Sequence, residues 1–345
     1  MNCFRRSIIL ILFLGCFFSI SSFNDLKAKT TIRFATVAPD GSAWMDVMRA
    51  IGDEVKEKSG GEVVFKYYPN MSMGDEKDIV RKMRLGQIQS AGFTGFGLGE
   101  VLSEFRILEL PHLFNNDAEV DFVNKELFEY FNSNLLEKGF VLLGWVDVGW
   151  VYFFSDKPIT TPTDLADTKV WTWQGDPLAH AFFEALGKSP VPLSVTDVLL
   201  SLQTGLINAA YSSPLAALAL QWFTHVDFIS DVPFTHSNGA VLITKKSFDK
   251  LSIENKALVK DVASKHLKTL VERSRRENIE AYDVMLKRGV TQVPSNEEQR
   301  AEMMKISLQV HEKLSGDLFP PELLANLQNL LFRYRSQPDS STSNP

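Results

Sequence analysis

Hydrophobic and polar positions alternate with two different periods along this chain. Residues 31–37 are rich in β-forming residues and predict a strand. Apolar residues then recur at helical spacing from Trp44 to Val55, until Gly60 and Gly61 end the pattern. Residues 62–68, 75–85 and 88–93 predict a second strand, a helix and a third strand. This βα alternation predicts a largely parallel sheet flanked by helices.

The second half of the chain continues the alternation and adds one very long helix. Residues 140–147 and 151–154 are extended in pattern, and we expect the chain to cross between two lobes there. Residues 254–288 contain no glycine or proline and carry apolar residues at helical spacing. At 1.5 Å per residue this helix would be roughly 50 Å long, enough to lie across both lobes.

The chain length favours two lobes over one. A chain of 345 residues exceeds what a single hydrophobic core usually organises. We expect the first lobe in residues 29–148 with about 240–285, and the second in residues 149–239 with about 286–333. The polar tail, residues 337–345, is expected to be disordered.

Residues 1–28 have the pattern of a secretory signal peptide. Arg5 and Arg6 precede an apolar run, residues 8–20, that is too short to span a bilayer as a helix. We therefore expect export to the periplasm with plain cleavage. Lipid anchoring at Cys16 is the alternative, because Leu14-Gly15-Cys16 forms a weak lipobox.

Charge and chemistry exclude several classes of function. The formal net charge of −6 argues against nucleic acid or an anionic membrane as partner. The six histidines show no metal-ligand spacing, and no nucleophile or acid–base motif is found. The Gly-Phe-Gly-Leu-Gly run at 95–99 lacks the Lys-Ser/Thr of a phosphate-binding loop, so flexibility or close packing explains it better. We expect no enzyme activity, no cofactor and no metal.

Several motifs, in order and spacing, carry a family resemblance. The central segment, residues 164–214, includes the run Leu202-Gln203-Thr204-Gly205. The other matching pieces are Ile32-Arg33-Phe34-Ala35, Met73-Gly74-Asp75-Glu76, Leu85-Gly86-Gln87-Ile88 and Leu110-Pro111-His112-Leu113-Phe114. Together they make the chain resemble the TRAP-transporter (DctP-type) periplasmic solute-binding proteins.

The resemblance implies both a fold and a function. The implied fold is a two-lobed α/β periplasmic binding protein, with mixed, mostly parallel sheets and a long helix spanning both lobes. Such a protein closes over a small molecule by hinge motion and delivers it to membrane permease subunits.

The chain departs from the family at the positions that matter most for the ligand. Where the family has an arginine that grips the substrate carboxylate, this chain has Trp171, and a second family arginine falls at Trp150. The family asparagine that contacts ligand is matched most nearly by Ser213. A carboxylate buried without a cationic partner is costly, whereas aromatic walls favour apolar ligands. The chain therefore looks like a divergent member that binds a hydrophobic or aromatic small molecule.

Nine residues are the candidate ligand contacts. They are Trp150, Trp171, Trp173, Ser213, Tyr211, Phe93, Thr94, Phe96 and Trp44. Each of these side chains has the alternative of being ordinary core, because large aromatic residues are more often buried than exposed to ligand. Two other functions remain open: a periplasmic lipid or sterol carrier that hands cargo to a partner protein without a TRAP permease, and an enzyme on the same fold.

Overall fold

The computed structural model of this chain describes residues 29–337. The predicted signal peptide, the possible anchor at Cys16 and residues 338–345 of the predicted tail lie outside the described residues. Within residues 29–337, no helix is both long enough and apolar enough to cross a bilayer.

Ten strands form two sheets in the described part of the chain. The strands are β1 (Thr30–Ala35), β2 (Val63–Tyr68), β3 (Ser90–Thr94), β4 (Phe140–Ser155), β5 (Trp171–Trp173), β6 (Val191–Leu193), β7 (Ala209–Ser212), β8 (Phe228–Ser230), β9 (Thr235–Thr244) and β10 (Thr291–Val293). Eight of them make one sheet in the order β10-β8-β4-β9-β3-β1-β2, with β7 paired to β4. Strands β5 and β6 form a small separate sheet.

The sheets are mixed, as predicted, but they are not mostly parallel. Strands β1–β2, β1–β3, β8–β10 and β5–β6 pair in parallel. Strands β3–β9, β4–β7, β4–β8 and β4–β9 pair antiparallel. The difference arises because the two longest strands, β4 and β9, run antiparallel to each other through the centre of the large sheet.

Thirteen α-helices surround these sheets in the described residues. They are α1 (Ala43–Lys58), α2 (Glu76–Arg84), α3 (Gly95–Val101), α4 (Asp117–Glu126), α5 (Phe128–Glu137), α6 (Pro162–Ala166), α7 (Pro177–Ala185), α8 (Val198–Gln203), α9 (Pro214–Ala219), α10 (Lys245–Phe248), α11 (Ile253–Lys287), α12 (Glu297–Leu314) and α13 (Pro321–Arg335). Short 3₁₀ helices cover Ser103–Glu109, Val195–Asp197 and Trp222–His225.

The long helix predicted over residues 254–288 is confirmed as α11. Ser252 caps its first turn, since its side chain accepts a hydrogen bond from the backbone of Asn255. The helix has 35 residues and is therefore about 52 Å long. It packs against α1, β4 and α9, which lie in different parts of the fold.

Two separate hydrophobic cores bury different strands of the fold. One, beside α1, contains Ile32, Phe34 and Met48; the other, beside β8, contains Trp171 and Trp222. A third and larger cluster includes buried residues of α2, α5, α12 and α13. Strand β4 pairs with β9 along most of its length and with β7 and β8 only at its last four residues. Strand β4 thus connects the part of the large sheet that contains β9 with the part that contains β7 and β8. The crossing between lobes at residues 140–154 and the lobe boundaries near residues 148 and 239 stay predictions.

Candidate functional site

A cavity of about 160 Å³ lies between the two lobes. Strand β3 and the start of α3 supply one wall, and β5, β7 and α7 supply the other. Eight of the nine predicted contact residues line it: Trp44, Phe93, Thr94, Phe96, Trp171, Trp173, Tyr211 and Ser213. The sequence therefore located the cavity, while the role of these residues as ligand contacts stays a prediction.

Trp171 is the buried centre of the aromatic wall. Its ring lies 5.0 Å from that of Trp173, 5.4 Å from that of Tyr211 and 5.1 Å from that of Trp222, measured between centroids. Its Nε1 donates to the carbonyl of Leu193 at 3.1 Å. Only 1% of Trp171 is exposed. Trp171 is thus both a core residue and part of the cavity wall.

Trp173 joins the two lobes across the cavity. Its ring stacks on that of Phe96, with centroids 4.9 Å apart and planes 11° from parallel. Its Nε1 donates to the carboxylate of Asp75, at the start of α2, at 3.2 Å. Asp75 also accepts hydrogen bonds from Ser194 Oγ at 2.7 Å and from the backbone of Val195 at 3.2 Å. One carboxylate of the first lobe therefore binds three donors of the second.

Trp150 is the exception among the predicted residues, because it lies outside this cavity. Strand β4 shifts register between Asp147 and Gly149. Val148 and Val151 both line the cavity, so the irregularity reverses the alternation of side chains and turns Trp150 to the opposite face. There its Nε1 donates to Asp117 at 2.7 Å. The prediction that Trp150 lines the interlobe cavity is wrong for this reason.

A buried ionic group at the cavity was missed by the sequence reasoning. Arg106 and Glu109 come from the 3₁₀ helix Ser103–Glu109, and Asp176 caps α7 in the other lobe. The guanidinium donates to both carboxylate oxygens of Asp176, at 3.0 and 2.8 Å, and also to Glu109. All three residues are at least 95% buried. Among residues 29–337, Arg106 is the only basic side chain that lines the cavity.

Burial and pairing act in opposite directions on these charges. Burial opposes the charge of Arg106, yet Asp176 and Glu109 raise its pKa above the ordinary value. Burial raises the pKa of Glu109, against the lowering effect of Arg106 and of a 2.6 Å hydrogen bond from Ser237 Oγ. Two carboxylates therefore surround one guanidinium and offset its positive charge, and only its buried Nε–H has no hydrogen-bond partner.

The glycines of residues 95–99 make room for this group. A Cβ at Gly95 would lie 2.1 Å from Glu109, and one at Gly99 would lie 2.7 Å from Arg106. A Cβ at Gly97 would lie 2.5 Å from the ring of Phe93. Close packing is thus the reason for the run. Glycine at positions 95, 97 and 99 was the one signal in the sequence that large side chains pack closely against α3.

Glu76 is a third buried carboxylate at the cavity. It accepts hydrogen bonds from the backbone of Thr94 at 2.7 Å, from Thr94 Oγ1 at 2.7 Å and from the backbone of Gly97 at 2.8 Å. None of the ion pairs in residues 29–337 includes it. Burial raises the pKa of Glu76 to about 7.

Ser213 and Tyr211 occupy the second-lobe side of the cavity. The side chain of Ser213 caps α9 by accepting from the backbone of Ala216 at 3.4 Å. The hydroxyl of Tyr211 is buried without a side-chain partner, apart from an approach to the backbone of Trp173. Burial, reinforced by Asp176, raises the pKa of Tyr211 well above its ordinary value. The lining thus offers hydroxyl groups and aromatic faces. Residues 29–337 contain no cluster of three or more His, Cys, Asp or Glu side chains suited to a metal ion.

Comparison with known proteins gives a consistent relationship. The family model DctP, described as bacterial extracellular solute-binding protein, family 7, matches residues 34–317. The 2,3-diketo-L-gulonate-binding periplasmic protein YiaO of Escherichia coli is 26% identical over 254 residues, which cover 72% of this chain and 76% of YiaO.

Two solved structures show the same fold. A TRAP periplasmic solute-binding protein from Sulfitobacter with bound β-D-galacturonate has a TM-score of 0.80 and 23% identity, covering 88% of this chain and 100% of that one. One from Ralstonia eutropha with bound (S)-2-acetolactate has a TM-score of 0.83 and 20% identity, covering 88% and 99%. The two-lobed α/β binding-protein fold is thereby confirmed. The chain belongs to the DctP family of bacterial extracellular solute-binding proteins, family 7.

Proposed function

We propose that this protein is the periplasmic receptor of a TRAP-type transport system for an uncharged hydrophobic or aromatic small molecule. It would capture this molecule in the interlobe cavity and deliver it to membrane permease subunits. Membership of a family of solute-binding proteins supports the transport role. The periplasmic location of YiaO supports export through a signal peptide in residues 1–28.

The pairing of Arg106 with two carboxylates of the protein is the observation that most directly supports an uncharged ligand. The relatives compared above bind 2,3-diketo-L-gulonate, galacturonate and acetolactate, all of which are acids. Here Asp176 and Glu109 already occupy the guanidinium. A ligand carboxylate would have to displace one of them, or be buried beside both with the single free Nε–H of Arg106 as its donor. A buried charge without a compensating partner costs several kcal/mol or more.

The lining and size of the cavity support an apolar ligand. The indole and phenyl rings of Trp44, Phe96 and Trp173 offer faces that favour apolar or π-rich molecules. A cavity of about 160 Å³ is comparable to the roughly 150 Å³ cavity that binds benzene in another protein. It is thus of a size for one substituted ring, and a whole sterol does not fit it in this conformation. This favours a small aromatic ligand over the sterol carrier.

A matched pair of probes tests the ligand class. 4-Ethylphenol and 4-ethylbenzoate share one body and differ in charge at neutral pH. We expect 4-ethylphenol to raise the melting temperature and to change tryptophan fluorescence, because it binds the folded state. We expect 4-ethylbenzoate, succinate and D-galacturonate to do neither at millimolar concentration. A dissociation constant below about 10 μM for any of the acids, roughly −7 kcal/mol, contradicts the proposal.

A further inference from the structure

A second cavity of about 290 Å³ lies directly behind the first. It is bounded by β4, the segment before β9, and α12. Its apolar walls are Phe114, Trp150, Phe153, Ile159, Val232, Pro233, Phe234, Met303 and Met304. The ligand site proposed above is the interlobe cavity and does not extend into this one.

Two phenylalanine side chains separate the cavities. Phe153 and Phe234 line both of them. Their ring centroids are 5.0 Å apart, and Phe182 continues the wall at 4.5 Å from Phe234. The two cavities therefore share the side chains of Phe153 and Phe234 as a common wall. Rotation of Phe153 or Phe234 about its side-chain torsions is the motion that would open this wall.

The second cavity presents no free charge to its interior. Arg300 is paired with Asp231 at 2.9 Å and also bound to Ser295 at 3.0 Å. The Nδ1 of His112 hydrogen-bonds Ser307 Oγ at 2.8 Å, and burial lowers the pKa of His112 to about 4, so the imidazole is neutral at pH 7. Met303 and Met304 add flexible apolar side chains that adapt to irregular shapes.

We propose that the second cavity is a chamber for the tail of the ligand, reached past Phe153 and Phe234. The ligand would then be an elongated molecule, with a ring-sized or hydroxyl-bearing end in the interlobe cavity and an unbranched alkyl tail in the chamber. This inference rests on the proposed function, because it extends the same binding site. It identifies the ligand as a chain-bearing amphiphile without a carboxylate.

A series of 1-alkanols from hexanol to decanol, titrated by calorimetry, tests the chamber. Each methylene that is fully buried tightens binding by about fourfold, since its burial is worth roughly 0.8 kcal/mol. We expect wild-type affinity to keep rising with chain length. Met303→Trp should fill the chamber, so that affinity stops rising with length while hexanol binds as in the wild type. Leu308→Trp, on the same helix but exposed and away from both cavities, is the matched control and should keep the wild-type series.

The outcomes separate this inference from the proposed function. If hexanol and 4-ethylphenol bind but Met303→Trp follows the wild-type series, the chamber is refuted and the interlobe site stands. If none of these probes binds to well-folded wild-type protein, the proposed function fails together with the chamber. Phe234→Leu provides a second check, because a smaller partition should speed the association of decanol more than that of hexanol. Association rates of decanol and hexanol that change equally between wild type and Phe234→Leu would contradict this role of the shared wall.

Discussion

The guanidinium of Arg106 donates to both carboxylate oxygens of Asp176, at 3.0 and 2.8 Å, and this pair joins the two lobes beside the cavity. Glu109 binds the same guanidinium from its own 3₁₀ helix. A positive charge is thus present where an acidic ligand would need one, but two carboxylates of the protein occupy it. The proposed preference for an uncharged ligand depends on this relationship.

Neutralising both carboxylates should convert the site into one that accepts an acid. In the double variant Glu109→Gln with Asp176→Asn, Arg106 loses both charged partners, while Asn can still cap α7. An uncompensated buried charge costs about 3–5 kcal/mol of stability, which a ligand carboxylate would relieve. We expect the variant to melt earlier than the wild type and to bind 4-ethylbenzoate by calorimetry. A folded double variant that binds 4-ethylbenzoate no better than wild type does would contradict this role of Arg106.

Glu76 should make stability fall as the pH rises towards 7. The native state holds its proton up to a pKa of about 7, whereas the unfolded chain releases it near 4.5. Between these values the folded state binds more protons, so the free energy of unfolding decreases with rising pH, by up to about 3 kcal/mol. Urea unfolding of wild type and Glu76→Gln at pH 5 and pH 7.5 measures this effect. The wild type should lose stability relative to Glu76→Gln between pH 5 and pH 7.5. An unchanged difference between the two proteins would show that Glu76 does not titrate in this range.

Asp75 should hold the lobes together when no ligand is bound. Asp75→Ser keeps a residue that caps α2 but removes the carboxylate that binds Trp173, Ser194 and Val195. Each hydrogen bond to a charged group contributes about 1.5–3 kcal/mol. We expect a larger radius of gyration in small-angle X-ray scattering. Asp78→Ser, on the exposed side of the same helix, is the control. Equal radii of gyration for Asp75→Ser and Asp78→Ser would refute the role of Asp75 in holding the lobes together.

Trp171 should contribute more to the free energy of unfolding than a partly buried residue of the cavity wall does. Because its ring is surrounded by those of Trp173, Tyr211 and Trp222, we expect Trp171→Ala to cost about 3–5 kcal/mol of stability in urea unfolding. Trp44→Ala, at the other side of the cavity and only partly buried, should cost less. A larger loss for Trp44→Ala than for Trp171→Ala would reverse this ranking.

Local patterns predicted most elements of the fold. Helical spacing located α1 and α11, and β-rich runs located β1 to β3, because these signals are contained in neighbouring residues. The antiparallel pairing of β4 with β9 joins segments about ninety residues apart, and no local pattern reports it. For this reason the predicted parallel majority was wrong.

The candidate site was predicted in part, for similar reasons. Family positions located Trp171 and Ser213 at the cavity. The register shift that turns Trp150 away depends on the partner strand, which the sequence does not reveal. The pairing of Arg106 with Asp176 joins residues seventy positions apart. The sequence therefore gave no sign that the charge of Arg106 is paired within the protein.

The central claim is that the interlobe cavity holds an uncharged hydrophobic molecule. Native mass spectrometry of protein purified from its own periplasm, followed by extraction and identification of whatever remains bound, tests this most directly. We predict a neutral, apolar compound with an alkyl tail or an aromatic ring, present at one molecule per chain. Recovery of a sugar acid, a dicarboxylate or sialic acid at that stoichiometry would contradict the account.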